Sequence, residues 1–202
     1  QSFVEAFNRS AAHYESDPAD DERLFNRGQA EFWVGYVHWR RGGLDQAKQW
    51  LTRYLSSSED VARMAPDDRG YALEVVYGHH NLAVLALEVG DLDAAEAGFQ
   101  GEVRSMRTIV QRDSSASNRQ DLADAISWLG NIYLERGQLE ESLEYYDEAI
   151  SILSMALEED PANAVRQRDV THARQKVSDV QFLLGNLEMA ASYNDVAVEM
   201  LR

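Results

Sequence analysis

The chain contains no cysteine. That excludes a disulfide framework and any Cys-bearing metal or redox motif. It does not choose between cytoplasm and periplasm; cytoplasm is the preferred reading and periplasm the alternative. No apolar run approaches the roughly 18 residues that a membrane span needs, so no direct membrane insertion is expected. No segment reads as a signal peptide. The first residue is Gln, not Met, which reads as a chain cut from something longer. Basic residues are scarce, with 19 Lys and Arg against 35 Asp and Glu, and the formal net charge is −16. A field of that sign repels phosphate backbones, so nucleic acid is not an expected partner. There is no H-E-x-x-H, no glycine-rich phosphate loop and no Walker motif. The five histidines include the neighbours His79 and His80, which cannot face one way on a helix. No spacing resembles an EF-hand. With no catalytic constellation, neither enzyme activity, nor a cofactor, nor a metal is expected.

What is present is a period. Gly42, Gly90, Gly137 and Gly185 lie 48, 47 and 48 residues apart, each opening the phrase G-x-L-[DE]-x-[AS]. The only three prolines, Pro18, Pro66 and Pro161, each stand 24 residues before one of these glycines. In the third unit that place is held by Asp113, so one residue is missing between Gly90 and Asp113, most simply in the second helix or the turn after it. A fixed period with fixed punctuation means repeated units that stack on their neighbours. The hydrophobic fraction of 45% is ample for such a core and excludes wholesale disorder.

Apolar residues before each glycine recur at helical spacing, as in Phe32, Trp33, Tyr36, Val37 and Trp39. So do those after it, as in Leu139, Leu143, Tyr146, Ala149, Ile150 and Leu153. Glycine ends the first helix of each unit in a left-handed cap, and proline stops the second. The pattern predicts first helices over 21–40, 68–88, 116–135 and 163–183, and second helices over 44–62, 92–111, 139–159 and 187–202. Residues 2–16 fit the second helix of an earlier unit. The fold class is all-α, a superhelix of antiparallel helix pairs. The division is a single array, with a partial repeat over 1–20 and repeats over 21–65, 66–112, 113–160 and 161–202. Seven residues before each glycine stands Gly35, Ala83, Gly130 or Ser178; five after it stands Ala47, Ala95, Ser142 or Ala190. Small residues at facing positions let two helices approach closely. Thirteen residues after each glycine the chain is apolar, and the residue before that is Glu102 in the second unit alone, which predicts a looser contact there.

The run from Trp128 to Ile150 includes Trp128, Leu129, Gly130 and Tyr133, then Gly137, Leu139 and Ser142, then Tyr146 and Ala149. It resembles a tetratricopeptide repeat, whose pattern is W-x2-L-G-x2-Y followed by an aromatic and an alanine. The family unit is roughly 34 residues long, so this is a long-period variant with both helices extended. The joint Asp160-Pro161-Ala162-Asn163 is similar to that of long-period variants in large bacterial multidomain signalling proteins. The resemblance covers essentially the whole chain and speaks for fold far more than for function. It implies a non-catalytic scaffold that binds a protein or peptide, as a regulatory region of a larger bacterial protein. The alternative is a structural spacer or self-association module, forming homo-oligomers through repeat ends.

The resemblance also implies that the first helices line the ligand face. Positions 13, 10, 6 and 3 before each glycine share one helix face. They are Gln29, Phe32, Tyr36 and Trp39, then Tyr77, His80, Val84 and Leu87. The later units place Asp124, Ser127, Asn131 and Leu134 there, then His172, Gln175, Asp179 and Phe182. The aromatic members suit an anchor for an apolar and basic partner; alternatively these rings pack against the preceding second helix. Among the sixteen only Asn131 is of a type found in the family's carboxylate clamp, so capture of an acidic tail is not expected. Residues 138–160 hold eight carboxylates and no Lys or Arg. They read either as a docking strip for a basic partner or as a solvated outer helix face.

Overall fold

The computed structural model describes residues 20–200, together with Glu5, Phe7, Asn8, Arg9, Ala11 and Ala12, and side chains as far as Asp195. The described residues before position 13 are helical; the rest of the helix expected over 2–16 lies outside the described residues. Eight helices follow: α1 Asp21–Arg40, α2 Leu44–Met64, α3 Arg69–Glu88, α4 Leu92–Arg112, α5 Ala116–Glu135, α6 Leu139–Glu159, α7 Ala164–Leu183 and α8 Leu187–Met200. No strand occurs among the described residues. The fold is all-α, in antiparallel helix pairs with repeat packing.

The punctuation does what its chemistry dictates. The four periodic glycines alone among the described residues have positive φ, between 73° and 80°. At each, the glycine N–H donates to the carbonyl three residues back, and the next N–H donates to the carbonyl five back, as in Gly137 to Leu134 and Gln138 to Tyr133, both 2.9 Å. This left-handed cap satisfies two carbonyls that the helix end leaves open and turns the chain into its return helix. At the opposite ends, Asp20, Asp68 and Asn163 cap α1, α3 and α7 by accepting first-turn N–H groups.

The residue missing from the third period is missing from a joint. Helices α2, α4 and α6 are each 21 residues long. The connections after α2 and α6 span 65–68 and 160–163, whereas that after α4 spans only 113–115. Ser115 makes no side-chain cap. Instead Asn118, fully buried, donates to the Asp113 carbonyl at 2.8 Å and its carboxylate at 2.9 Å, tying the short joint to the first turn of α5.

The small residues lie at helix crossings. Ser142 Oγ donates to the Gly130 carbonyl at 2.9 Å and Ser178 Oγ to the Ala190 carbonyl at 2.8 Å, so the two small positions of a pair face each other. A Cβ on Gly130 would stand 2.6 Å from the Tyr146 ring, and one on Gly35 3.1 Å from Leu51. The expected looseness at Glu102 is not found. Glu102 is buried and meets His80 Nδ1 at 3.0 Å, so a polar pair stands where the first and third units have the buried Tyr54 and Ala149.

The chain divides into two compact units, residues 1–105 and 106–202, with the boundary inside the continuous helix α4. In the first, Ala47, Leu51, Tyr54 and Leu85 form a core flanked by Phe32, Trp39, Leu44 and Leu82. In the second, Tyr146, Val177 and Val180 are flanked by Leu134, Leu139, Leu143, Ile150, Leu184 and Tyr193. Among the described residues no helix is long and apolar enough to cross a membrane. None of their His, Asp and Glu side chains cluster in a group able to hold a metal ion.

Candidate functional site

In the first unit α1 and α3 run side by side, joined along their length. The rings of Phe25 and Tyr71 lie 5.4 Å apart, Gln29 Nε2 donates to Glu74 at 2.7 Å, and Trp39 Nε1 donates to Glu88. The buried stripe of α1 faces α2 instead: a Cβ on Gly28 would stand 3.4 Å from Ser57 and one on Gly35 3.1 Å from Leu51. Leu24, Gly28, Glu31, Val34 and Gly35 are buried. Glu31 is fully buried, yet its carboxylate is matched: Ser57 Oγ donates at 2.6 Å and Arg27 Nε at 3.1 Å. A buried charge persists only with such partners.

On the remaining face Phe32 stands at the centre of an aromatic cluster. Its ring lies 5.3 Å from Trp33, 6.0 Å from Tyr36 and 5.4 Å from Tyr54. Trp33 and Tyr36 meet edge to face at 5.9 Å. Phe32 and Trp39 are half-buried, while Trp33 is 47% exposed, Tyr36 38% and, on α3, Tyr77 49%. Beneath them the Tyr54 hydroxyl donates to Glu74, which also holds Gln29. Burial, then the hydrogen bond to Glu74 and its charge, push the Tyr54 phenol well above its ordinary value, with Tyr77 adding to the rise. The side chain stays a neutral donor to Glu74. Val84 and Leu87 are half-buried. His80 is held by Glu102 and lies edge to face with Phe99 at 5.9 Å. Its hydrogen bond to Glu102 raises its pKa against the lowering effect of burial.

The corresponding face of the second unit is mostly polar, and Ser127 and Asn131 are occupied by bonds within it. Ser127 Oγ turns back to the Ala123 carbonyl at 2.9 Å. Asn131 Oδ1 accepts from Tyr146 Oη at 2.7 Å and Lys176 Nζ at 3.1 Å, bridging α5, α6 and α7. Burial pushes the Tyr146 phenol up to about 12. Gln175 and Asp179 are exposed, as are Asp124, His172 and Phe182, while Leu134 is half-buried. The acidic run is not bare. Glu148 takes Arg107 Nη2 at 2.7 Å and Glu159 is paired with Arg119, while Glu140, Glu141, Glu144, Asp147, Glu158 and Asp160 are exposed.

Sequence reasoning passed over Trp33, Glu31 and Glu74. Trp33 stands nine residues before Gly42, off the 3-4-3 series chosen for the face. Its neighbours Phe32 and Tyr36 were signal enough, since an apolar stripe wider than one row includes it.

Residues 76–97 and 123–154 each match the tetratricopeptide repeat family, the two stretches spanning the turns at Gly90 and Gly137. These are tetratricopeptide repeats. Repeats of this family, where they stack, build extended surfaces suited to binding. The fold is shared with MamA at 17% identity and a TM-score of 0.52, over 98% of this chain and 88% of that one. It is shared with the apo form of RapI at 12% and 0.62, over 99% and 70%. Aspartyl phosphate phosphatase F from Bacillus subtilis aligns at 13% and 0.64, over 98% of this chain but 50% of its own length. At such identities the likeness is one of fold. No curated protein matches the sequence.

Proposed function

We propose that the α1–α3 face of the first unit binds a protein or peptide segment presenting a basic side chain among apolar ones, without catalysis. The observation that carries this is the exposure of Trp33, Tyr36 and Tyr77 on a face braced by the bonds of Gln29 and Tyr54 to Glu74. Large rings in solvent lose water favourably against apolar groups, and their faces attract a guanidinium or ammonium group. Glu74 and Glu88 add charge of the matching sign, and the net charge of −16 draws a basic partner in, faster at low salt. The setting we favour is a regulatory region of a larger bacterial multidomain protein, in which the four helix pairs are repeats over 21–65, 66–112, 113–160 and 161–202.

The test is calorimetric titration with a peptide library of fixed length, varied in Arg and aromatic content. Basic, aromatic-containing peptides should bind. A Trp33→Ala, Tyr36→Ala pair with unchanged circular dichroism should weaken them by roughly 30-fold or more, as loss of a hot spot of about 2 kcal/mol requires. Binding that ignores both peptide charge and the two rings would sink the proposal.

A further inference from the structure

Two carboxylates of α3 reach across the seam to α1. Glu74 takes the Gln29 amide at 2.7 Å and the Tyr54 hydroxyl, and Glu88 takes the Trp39 indole N–H. All three donors land on the Oε2 atom of their carboxylate. No other described residue bonds to the Oε1 atom of either. A carboxylate has room for about four hydrogen bonds, so each keeps acceptor capacity on one oxygen. Both are open to solvent, Glu74 half-buried and Glu88 exposed. The bonds already made hold the two heads in place, so less freedom is lost when a partner's cation arrives.

The helices set their spacing. Glu74, Tyr77, Asn81, Val84 and Glu88 follow a 3-4-3-4 series and share one face of α3. From Glu74 to Glu88 the helix rises about 21 Å, and from Gln29 to Trp39, their partners on α1, about 15 Å. The two carboxylates therefore lie about 15–21 Å apart along the seam. Between them α3 carries Tyr77 and Val84, and α1 carries Phe32, Trp33 and Tyr36. The bridging bonds keep α1 and α3 within side-chain reach of each other, which leaves no channel of the roughly 10–12 Å that a helix occupies. An extended segment is narrower and can follow the seam. In such a segment residues advance about 3.3 Å and alternate sides, so only even steps return to one face. Four residues cover about 13 Å, six about 20 Å and eight about 26 Å. Of these only six falls within the interval.

On the peptide-binding reading of this face, on which this rests, we infer that the α1–α3 seam selects an extended partner segment with two basic side chains six residues apart. One basic group meets Glu74 and the other Glu88, and the two inward positions between them carry apolar side chains that meet the rings. The experiment is calorimetric titration of the whole chain with peptides of one length and one composition. Each holds two Arg, set four, six or eight residues apart. Attraction to the net charge of −16 is then the same for all, and only spacing differs. The peptide with spacing six should bind roughly 10-fold or more tightly than the others, as one further charge-assisted hydrogen bond provides. Glu74→Gln and Glu88→Gln keep an oxygen for the donors on α1 and α2, so circular dichroism should not change. Each should abolish the preference for spacing six. Proline at the middle, outward position of that peptide should be tolerated, since an extended chain accepts it and a helix does not. Equal binding at all three spacings, or a preference that survives both Gln variants, would overturn the inference and leave the peptide-binding reading standing. Loss of binding with proline would overturn the extended conformation and the spacing with it. No binding by any of the three peptides would overturn both readings.

Discussion

His79 and His80 are adjacent, and their environments push them in opposite directions. His80 donates a hydrogen bond to Glu102, which raises its pKa, while burial and then Arg104 lower that of His79. A Cβ on Gly101 would lie 2.4 Å from the His79 ring, so the ring fills space that only glycine leaves open. A histidine whose folded pKa is raised contributes stability below its unfolded value, about 6.5; the contribution is lost as pH rises through the folded value. His79 has the reverse sign: its contribution is present above about 6.5 and is lost as pH falls. Replacing His80 by Gln should therefore destabilise the chain most below about pH 6.5 and progressively less above it. Solvent screens the pair, because the His80 side chain is 36% exposed, so the effect should be modest. Urea denaturation at a series of pH values gives the answer; a destabilisation that does not vary with pH would mean that the two groups do not form an ion pair.

At the scale of a helix pair, two glycines seven residues apart serve different ends. Gly130 is a matter of space, since a Cβ there would meet the Tyr146 ring. Gly137 is a matter of backbone, since its φ is +73° and a Cβ would meet nothing within 4 Å. Gly130→Leu should cost about 1–3 kcal/mol by overpacking. Gly137→Ala should cost about 1–2 kcal/mol through left-handed strain alone. The two mechanisms separate in a double-mutant cycle with Tyr146→Val, read by thermal denaturation. The smaller residue should recover part of the loss at Gly130 and none at Gly137. Equal recovery at both positions would show that the crossing of α5 and α6 is misread.

At the scale of the whole molecule, stability is not evenly spread. Helix α6 buries Ser142, Tyr146, Ala149, Leu153 and Ala156. In the described part of α8 only Ala190 is buried, and Leu187, Glu188, Met189, Ala191, Ser192, Asn194 and Asp195 are exposed. Where each element touches only its neighbours, a helix with one covered face opens alone. Hydrogen exchange should show amides of 187–200 exchanging well before those of α6, by a sub-global opening. Matching protection in α6 and α8 would contradict this and point to a single cooperative unit.

The helices were legible in the sequence, nearly residue by residue, because their limits are local. A left-handed cap needs glycine at one place, as at Gly137, and proline stops the preceding helix at another, as at Pro161. The facing of Gly130 and Ser142 was legible too, because a tight turn leaves two antiparallel helices only one register. The joint after α4 was half legible: counting showed that a residue was missing, and only the structure put the gap in the turn and revealed Asn118 as its brace. What only the tertiary structure decided is which polar groups are inside and which rings are outside. Glu31, Glu74 and Glu102 find their partners 20 or more residues away, at Ser57, Tyr54, Gln29 and His80. Trp33 is left in water because Phe32 and Trp39 take the covered places. Helix ends are set by bonds to the next few residues, which a sequence displays in order; the fate of a side chain depends on a neighbouring helix that only folding brings beside it.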